Sequence, residues 1–290
     1  MTMSAPKLPP LSEDRLTAAR AQLHQAVQLL AAIGISYIDP LPDDSHTALD
    51  WSTELKSFSS KAFGPEGQIK VTLDPASLTV SIYHGQELNN AFTLDGINLA
   101  QASAILVHQL GLQGLKADKF TLDRHYNLPD YPDHLIEAFD TADLEAFQGL
   151  SLGYQLAEQA FASIIVHDSR VGSILTWPHH FDMAILTPLA HDDNQQLIAS
   201  MGSGFSPGDK SIPAPYFYVT LWPAPPTNAP VTHPVKQGEW YAENWLGVIL
   251  KYEDLAKNES LDAQLETVNA FLYEARGIAL KLSQNERIAG

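Results

Sequence analysis

Residues 176–185, TWPHHFDMAI, set two histidines and an aspartate inside an otherwise apolar run. In extended backbone the side chains alternate, so His180 and Asp182 leave one face with Cβ atoms roughly 6–7 Å apart. That spacing suits a general base oriented by a carboxylate, which makes His180 and Asp182 the catalytic candidates. It also suits two ligands of one Zn²⁺, Mn²⁺ or Fe²⁺ ion. His179, His180 and Asp182 would then be the metal set, with His84 and Asp209 as further donors. A structural reading stands beside both, in which histidine and aspartate satisfy each other in a core. No cofactor other than a divalent metal is suggested.

A second run, YFYVTLW (216–222), alternates in the same way. Phe217, Val219 and Leu221 fall on one face, and Tyr216, Tyr218, Thr220 and Trp222 on the other. Clustered large aromatics are unusual on a solvated face, so this one is expected to form a small-molecule pocket or an internal interface. The strand around Phe181 is expected to share a sheet with the strand around Phe217, with His180, Asp182 and Tyr218 on a common face. FSPGDK (205–210) reads as a turn at the rim of that face. Trp177, Ser206, Asp209, Tyr216, Tyr218 and Trp222 are thus the ligand-binding candidates. GLSLG (149–153) matches the G-x-S-x-G nucleophile pattern, but a helical stripe from Phe147 to Ile164 runs through it and places Ser151 inside a helix.

The elements that position these residues are legible from periodicity. Ser12 reads as the N-cap of a helix carrying Leu16, Ala19, Leu23, Val27 and Leu30, ended by Gly34. A loop over 39–47 follows, then short alternating runs FSSKAF, QIKVTL, LTVSIYH and NAFTL, which read as an antiparallel meander. A helix spans Leu99 to Leu110. Residues 123–140 have the prolines, charges and lack of period of a linker. Beyond them come a long amphipathic helix, strands SILTW, FDMAIL, LIASM, YFYVTLW and GVILKY, and a last helix from Leu261 to Leu282. The fold class is α+β: antiparallel sheets flanked by amphipathic helices. The expected organisation is a disordered tail (1–11), an N-terminal half (12–122), the linker (123–140) and a C-terminal half carrying the site (141–290). Both halves read helix, strands, helix, which raises a structural duplication as one option.

Composition narrows the function classes. Seventeen basic against 34 acidic residues give a net charge of −17. No window clusters Lys and Arg as binding to phosphate backbones requires, so neither nucleic acid nor an anionic membrane is an expected partner. No apolar stretch approaches the roughly 20 residues that span a bilayer. With no cysteine, disulfides, thiolate metal sites and cysteine nucleophiles are excluded. No signal-peptide pattern opens the sequence, and a cytoplasmic protein is the expectation.

WPHHFDMA, GFSPGD, PYFYVTLWP and NWLGVIL, in this order and spacing, resemble an uncharacterised bacterial family with W-P-x-H-F-D, S-P-G-D and P-Y-x-Y-V signatures. The resemblance is specific over about residues 145–275. It is loose over the first half, where LDW (49–51) and YNLPDYP (126–132) carry it. The family usually shows W-H-T-x-G-W where this chain has WYAENW, so Tyr241 replaces a histidine. No activity is established for the family. The resemblance implies that Trp177, His180, Asp182, Ser206, Asp209, Tyr216 and Tyr218 belong to one constellation. Three functions remain open: a small-molecule enzyme using His180 and Asp182, a module binding a small ligand, cationic in one form, on its aromatic face, or an assembly protein, homo-oligomeric in one form, that buries that face. An open His180 would favour the first and a closed one the third.

Overall fold

The computed structural model describes residues 7–227 and 233–288. The chain opens with helices α1 (Glu13–Ala26) and α2 (Gln28–Tyr37). Strands β1 (Asp50–Ser52), β2 (Ser57–Ser59), β3 (Ile69–Asp74), β4 (Thr79–His84) and β5 (Glu87–Thr93) follow, then α3 (Leu99–Leu112) and α4 (Leu144–His167). Next come β6 (Leu175–Trp177), β7 (Asp182–His191), β8 (Leu197–Ser206), β9 (Tyr216–Trp222), β10 (Glu239–Tyr241) and β11 (Gly247–Lys251). Helices α5 (Tyr252–Ala256) and α6 (Leu261–Ile288) close the chain. The strand pairs are antiparallel and the class is α+β, as the periodicities require. Two compact units result, one built from Leu11–Ser151 with Leu175–Asp182, the other from residues 1–10, Leu152–Ile174 and Met183–Gly290.

In the first unit β1 to β5 pair in sequence order. Val71 lies opposite Ile82 and Leu73 opposite Val80, and all four are buried, so the apolar alternation of β3 and β4 makes one core face. Asn98 and Gln101 start α3 with a reciprocal capping box, each side chain bonding the other's backbone N–H. The first helix differs from its sequence reading: it breaks at Val27, and α2 runs through Gly34 to Tyr37. Gly34 serves a close approach instead, since a Cβ there would lie 2.3 Å from the carbonyl oxygen of His46. Residues 123–140 carry side chains that dock onto this unit: Tyr126 and Tyr131 bond to Gln28 and His24, and Phe139 is buried. Each tyrosine brings a ring to bury and a hydroxyl to satisfy a buried polar partner.

In the second unit the strands run in the order β10-β11-β9-β8-β7. Met183, Phe205, Phe217 and Leu250 form one cross-strand row and Ile185, Ser203, Val219 and Val248 the next. Rings from α4 meet this face, Tyr154 on Phe205 and Phe161 on Phe217. Gly153 allows the contact, because a Cβ there would sit 2.5 Å from the Phe205 ring. Of the tail expected over 1–11, residues 1–6 lie outside the described residues. Leu8 is fully buried and its N–H donates to Gln264 Oε1, while Pro9 accepts from the Tyr252 hydroxyl.

Candidate functional site

WPHHFD is a turn. The N–H of Phe181 donates to the Trp177 carbonyl at 2.7 Å, closing a loop over Pro178, His179 and His180 between β6 and β7. Phe181 has φ +59°, in the left-handed region that costs a non-glycine residue on the order of 1–3 kcal/mol. Its ring is fully buried, stacked on His24 at 5.3 Å between centroids and packed on Phe58 at 5.4 Å. Ring burial, a few kcal/mol for a side chain of this size, offsets the backbone strain. With Phe181 turned inwards, His180 is exposed and His179 half-buried.

Polar groups from three segments of the first unit fix this turn. Pro178 lacks an N–H, and its carbonyl accepts two bonds, from His24 Nε2 at 2.8 Å and from Gln28 Nε2 at 2.9 Å. Gln28 Nε2 also reaches the His24 carbonyl, and Gln28 Oε1 accepts from the Tyr126 hydroxyl at 3.0 Å. The Tyr131 hydroxyl stands 2.8 Å from His24 Nδ1. None of these four residues stood out in the sequence as a candidate. His24 and Gln28 are polar residues buried four apart along an apolar stripe. Tyr126 and Tyr131 lie in the YNLPDYP motif, whose weak resemblance was the one available signal.

Aromatic rings surround His179: His180 at 4.6 Å, Tyr126 at 5.8 Å and Trp177 at 6.0 Å. Burial pushes its pKa below the ordinary histidine value; His180 adds to this, while Asp182 and Asp44 act in the opposite sense. Burial lowers His24 further, to about 4. Both imidazoles are therefore neutral at neutral pH. Burial also raises the Tyr126 hydroxyl, which keeps the phenol protonated. At the margin His125, whose ring meets Tyr126 edge-on, bonds Asp44 through Nε2. A neutral imidazole here can accept a proton or a hydrogen bond from a bound molecule, with a carboxylate on the same turn to stabilise the resulting charge.

The remaining candidates belong to the second unit. β7 and β9 both pair with β8, and Ala184, Gly204 and Tyr218 form one row on the face away from the Phe205–Phe217 core. His180 lies in the turn before β7, where strand alternation does not reach, so the expected common face of His180 with Tyr218 does not arise from strand geometry. Tyr218 lies across Gly204, whose absent Cβ would fall 2.3 Å from Cζ of the ring. Beside it Tyr216, Tyr241, Ile249, Ile212 and Trp245 pack together. Asp209 ties the SPGD turn: Oδ1 accepts from the N–H groups of Ser211 and Ile212, and Oδ2 from the Tyr216 hydroxyl at 2.6 Å. Ser206 Oγ accepts from Gly208 N–H, where φ is +102°. Trp222 is 54% exposed at the end of β9.

Among the described residues no three His, Asp or Glu side chains are arranged to hold a metal ion, so His179, His180 and Asp182 do not make the three-ligand set expected from spacing. Ser151 is buried within α4, away from the strand-to-helix corner that a nucleophile elbow needs. No helix is long and apolar enough to cross a membrane among the described residues. No curated protein and no solved structure matches the chain. Residues 8–286 match the Family of unknown function (DUF5996), and on that nearly full-length match the chain belongs to this family.

Proposed function

We propose that the protein binds a small molecule at the WPHHFD turn and that its histidine pair can move a proton on that molecule. His179 is the acceptor, His180 the solvent-facing partner, and Asp182 the carboxylate that stabilises a charged imidazole. Trp177 and Tyr126 supply aromatic walls. One observation carries this reading: the chain accepts left-handed strain at Phe181 and buries that ring, while the next residue back, His180, stays in solvent. A histidine serving only the core would be buried and bonded, as His24 is.

A structural role is favoured for Ser206, Asp209, Tyr216 and Tyr218. Both Asp209 oxygens are engaged by the loop they brace, and Tyr218 fills the space left by Gly204. The acidic balance and the lack of a basic cluster argue against nucleic acid as the ligand.

A thermal-shift panel of small metabolites, run on wild type and His180→Ala, tests the proposal. His180→Ala should stay within about 0.5 kcal/mol of wild type without ligand, as expected for an exposed residue. A bound ligand should stabilise wild type by about 2.7 kcal/mol at a hundredfold excess over Kd, and the variant less. A strongly destabilised variant, with no ligand shifting wild type, would return the turn to a structural role.

A further inference from the structure

We infer that His24 is the positioning residue of the histidine site, presenting His179 and His180 through its bond to the Pro178 carbonyl and its stack on Phe181, with its Nδ1 held by the Tyr131 hydroxyl. This rests on the turn being the site proposed above. A carbonyl oxygen can only accept, so Nε2 of His24 carries the proton in the 2.8 Å contact with Pro178. Nδ1 must then accept, and the hydroxyl 2.8 Å away on Tyr131 donates to it. One tautomer satisfies both ring nitrogens of an almost fully buried imidazole. Its ring centroid lies 5.3 Å from that of Phe181 at an interplanar angle of 16°, so one side chain holds the turn at both ends of the histidine pair. Gln28 shares the Pro178 carbonyl but has no aromatic ring to stack on Phe181.

The groups that bear on His24 are Arg20 on its own helix, Arg124 and Tyr131 on the covering segment, and His180 on the turn. The three cationic or potentially cationic groups all oppose a proton on Nδ1, as does the donating Tyr131 hydroxyl. The neutral Nε2–H form is therefore the one the surroundings select.

Histidine-labelled protein and long-range ¹H–¹⁵N NMR test the assignment on the full chain. In wild type, His24 should hold the Nε2–H tautomer from neutral pH down to about pH 5. His24→Leu removes the donor, and the His179 titration midpoint should rise by about half a pH unit as the turn loosens and His179 gains solvent. His24→Gln, which can still donate to Pro178, should shift it less. Tyr131→Phe removes a single oxygen and should keep the Nε2–H tautomer while moving the His24 Nδ1 ¹⁵N resonance downfield as that lone pair loses its hydrogen bond, which keeps a readout if the His24 variants do not fold. An Nδ1–H tautomer in wild type would overturn the inference. So would a His179 midpoint unmoved in folded His24→Leu, or an Nδ1 resonance unmoved in Tyr131→Phe. Because every signal is read without ligand, this outcome separates from that of the thermal-shift panel.

Discussion

His24 and His180 show how position decides what one residue type does. His24 is buried between an aromatic ring, a carbonyl and a hydroxyl, and it stays neutral because charging it would strip the imidazolium of water. The consequence for stability follows from linkage. The folded-state pKa of about 4 lies below the ordinary histidine value of 6.5, so between these values the unfolded chain binds more protons. His24 therefore contributes nothing adverse above pH 6.5, and stability is lost as pH falls from there through 4. The loss is on the order of 3 kcal/mol once both limits are passed, and the lowered pKa of His179 acts in the same direction. Urea unfolding at pH 7 and pH 4.5 should show wild type losing clearly more stability than His24→Gln. Equal losses in the two proteins would remove His24 as the source.

At the scale of elements, two glycines set how closely rings approach backbone. Gly153 lets α4 settle against Phe205, and Gly204 lets the Tyr218 ring pass close over β8. Gly204→Ala places a methyl where the Tyr218 ring now stands, and overpacking of this kind costs about 1–3 kcal/mol. The same substitution made with Tyr218→Ala should cost much less than the two single losses together, because the methyl then meets open space. Additive effects across the cycle would show that the contact carries no strain. A buried arginine supports the opposite face of this sheet. Arg276 on α6 donates through Nη1 to Thr187 and Ser203, with Asp168 at 3.5 Å from Nη2. Arg276→Ala would leave two buried hydroxyls without that donor, and a loss of about 2 kcal/mol in urea unfolding is expected.

For the whole molecule, the compact units do not follow a simple cut of the chain. Leu175–Asp182 returns to the first unit and brings Phe181 to His24 and Phe58. A protein ending at residue 140 lacks that ring and also Asp143, the carboxylate partner of Arg15. Loss of a buried phenylalanine contact costs about 3–5 kcal/mol, a large share of the 5–15 kcal/mol that stabilises a typical domain. Residues 1–140 alone should accordingly give poorly dispersed amide NMR spectra and no cooperative unfolding. Well-dispersed spectra would show that the returning segment is dispensable.

Sequence by itself determined the elements. Alternation in β3, β4, β7 and β9, and three-to-four spacing in α3, α4 and α6, follow from burial of one face, a constraint local enough to leave a periodic trace. The candidacy of WPHHFD for chemistry was legible too, since it depends on which residue types stand together. Tertiary structure alone decided how those residues are held. Read as a strand, His180 would point with Asp182; closed as a turn, with Phe181 left-handed, it faces solvent. That conformation is maintained by His24, Gln28 and Phe58, over a hundred residues earlier in the chain, and a partner at that distance leaves no period and no spacing in the sequence. Gly34 teaches the same lesson: a helix stop in one dimension, it proves to be clearance for the backbone of His46 and Thr47 in three.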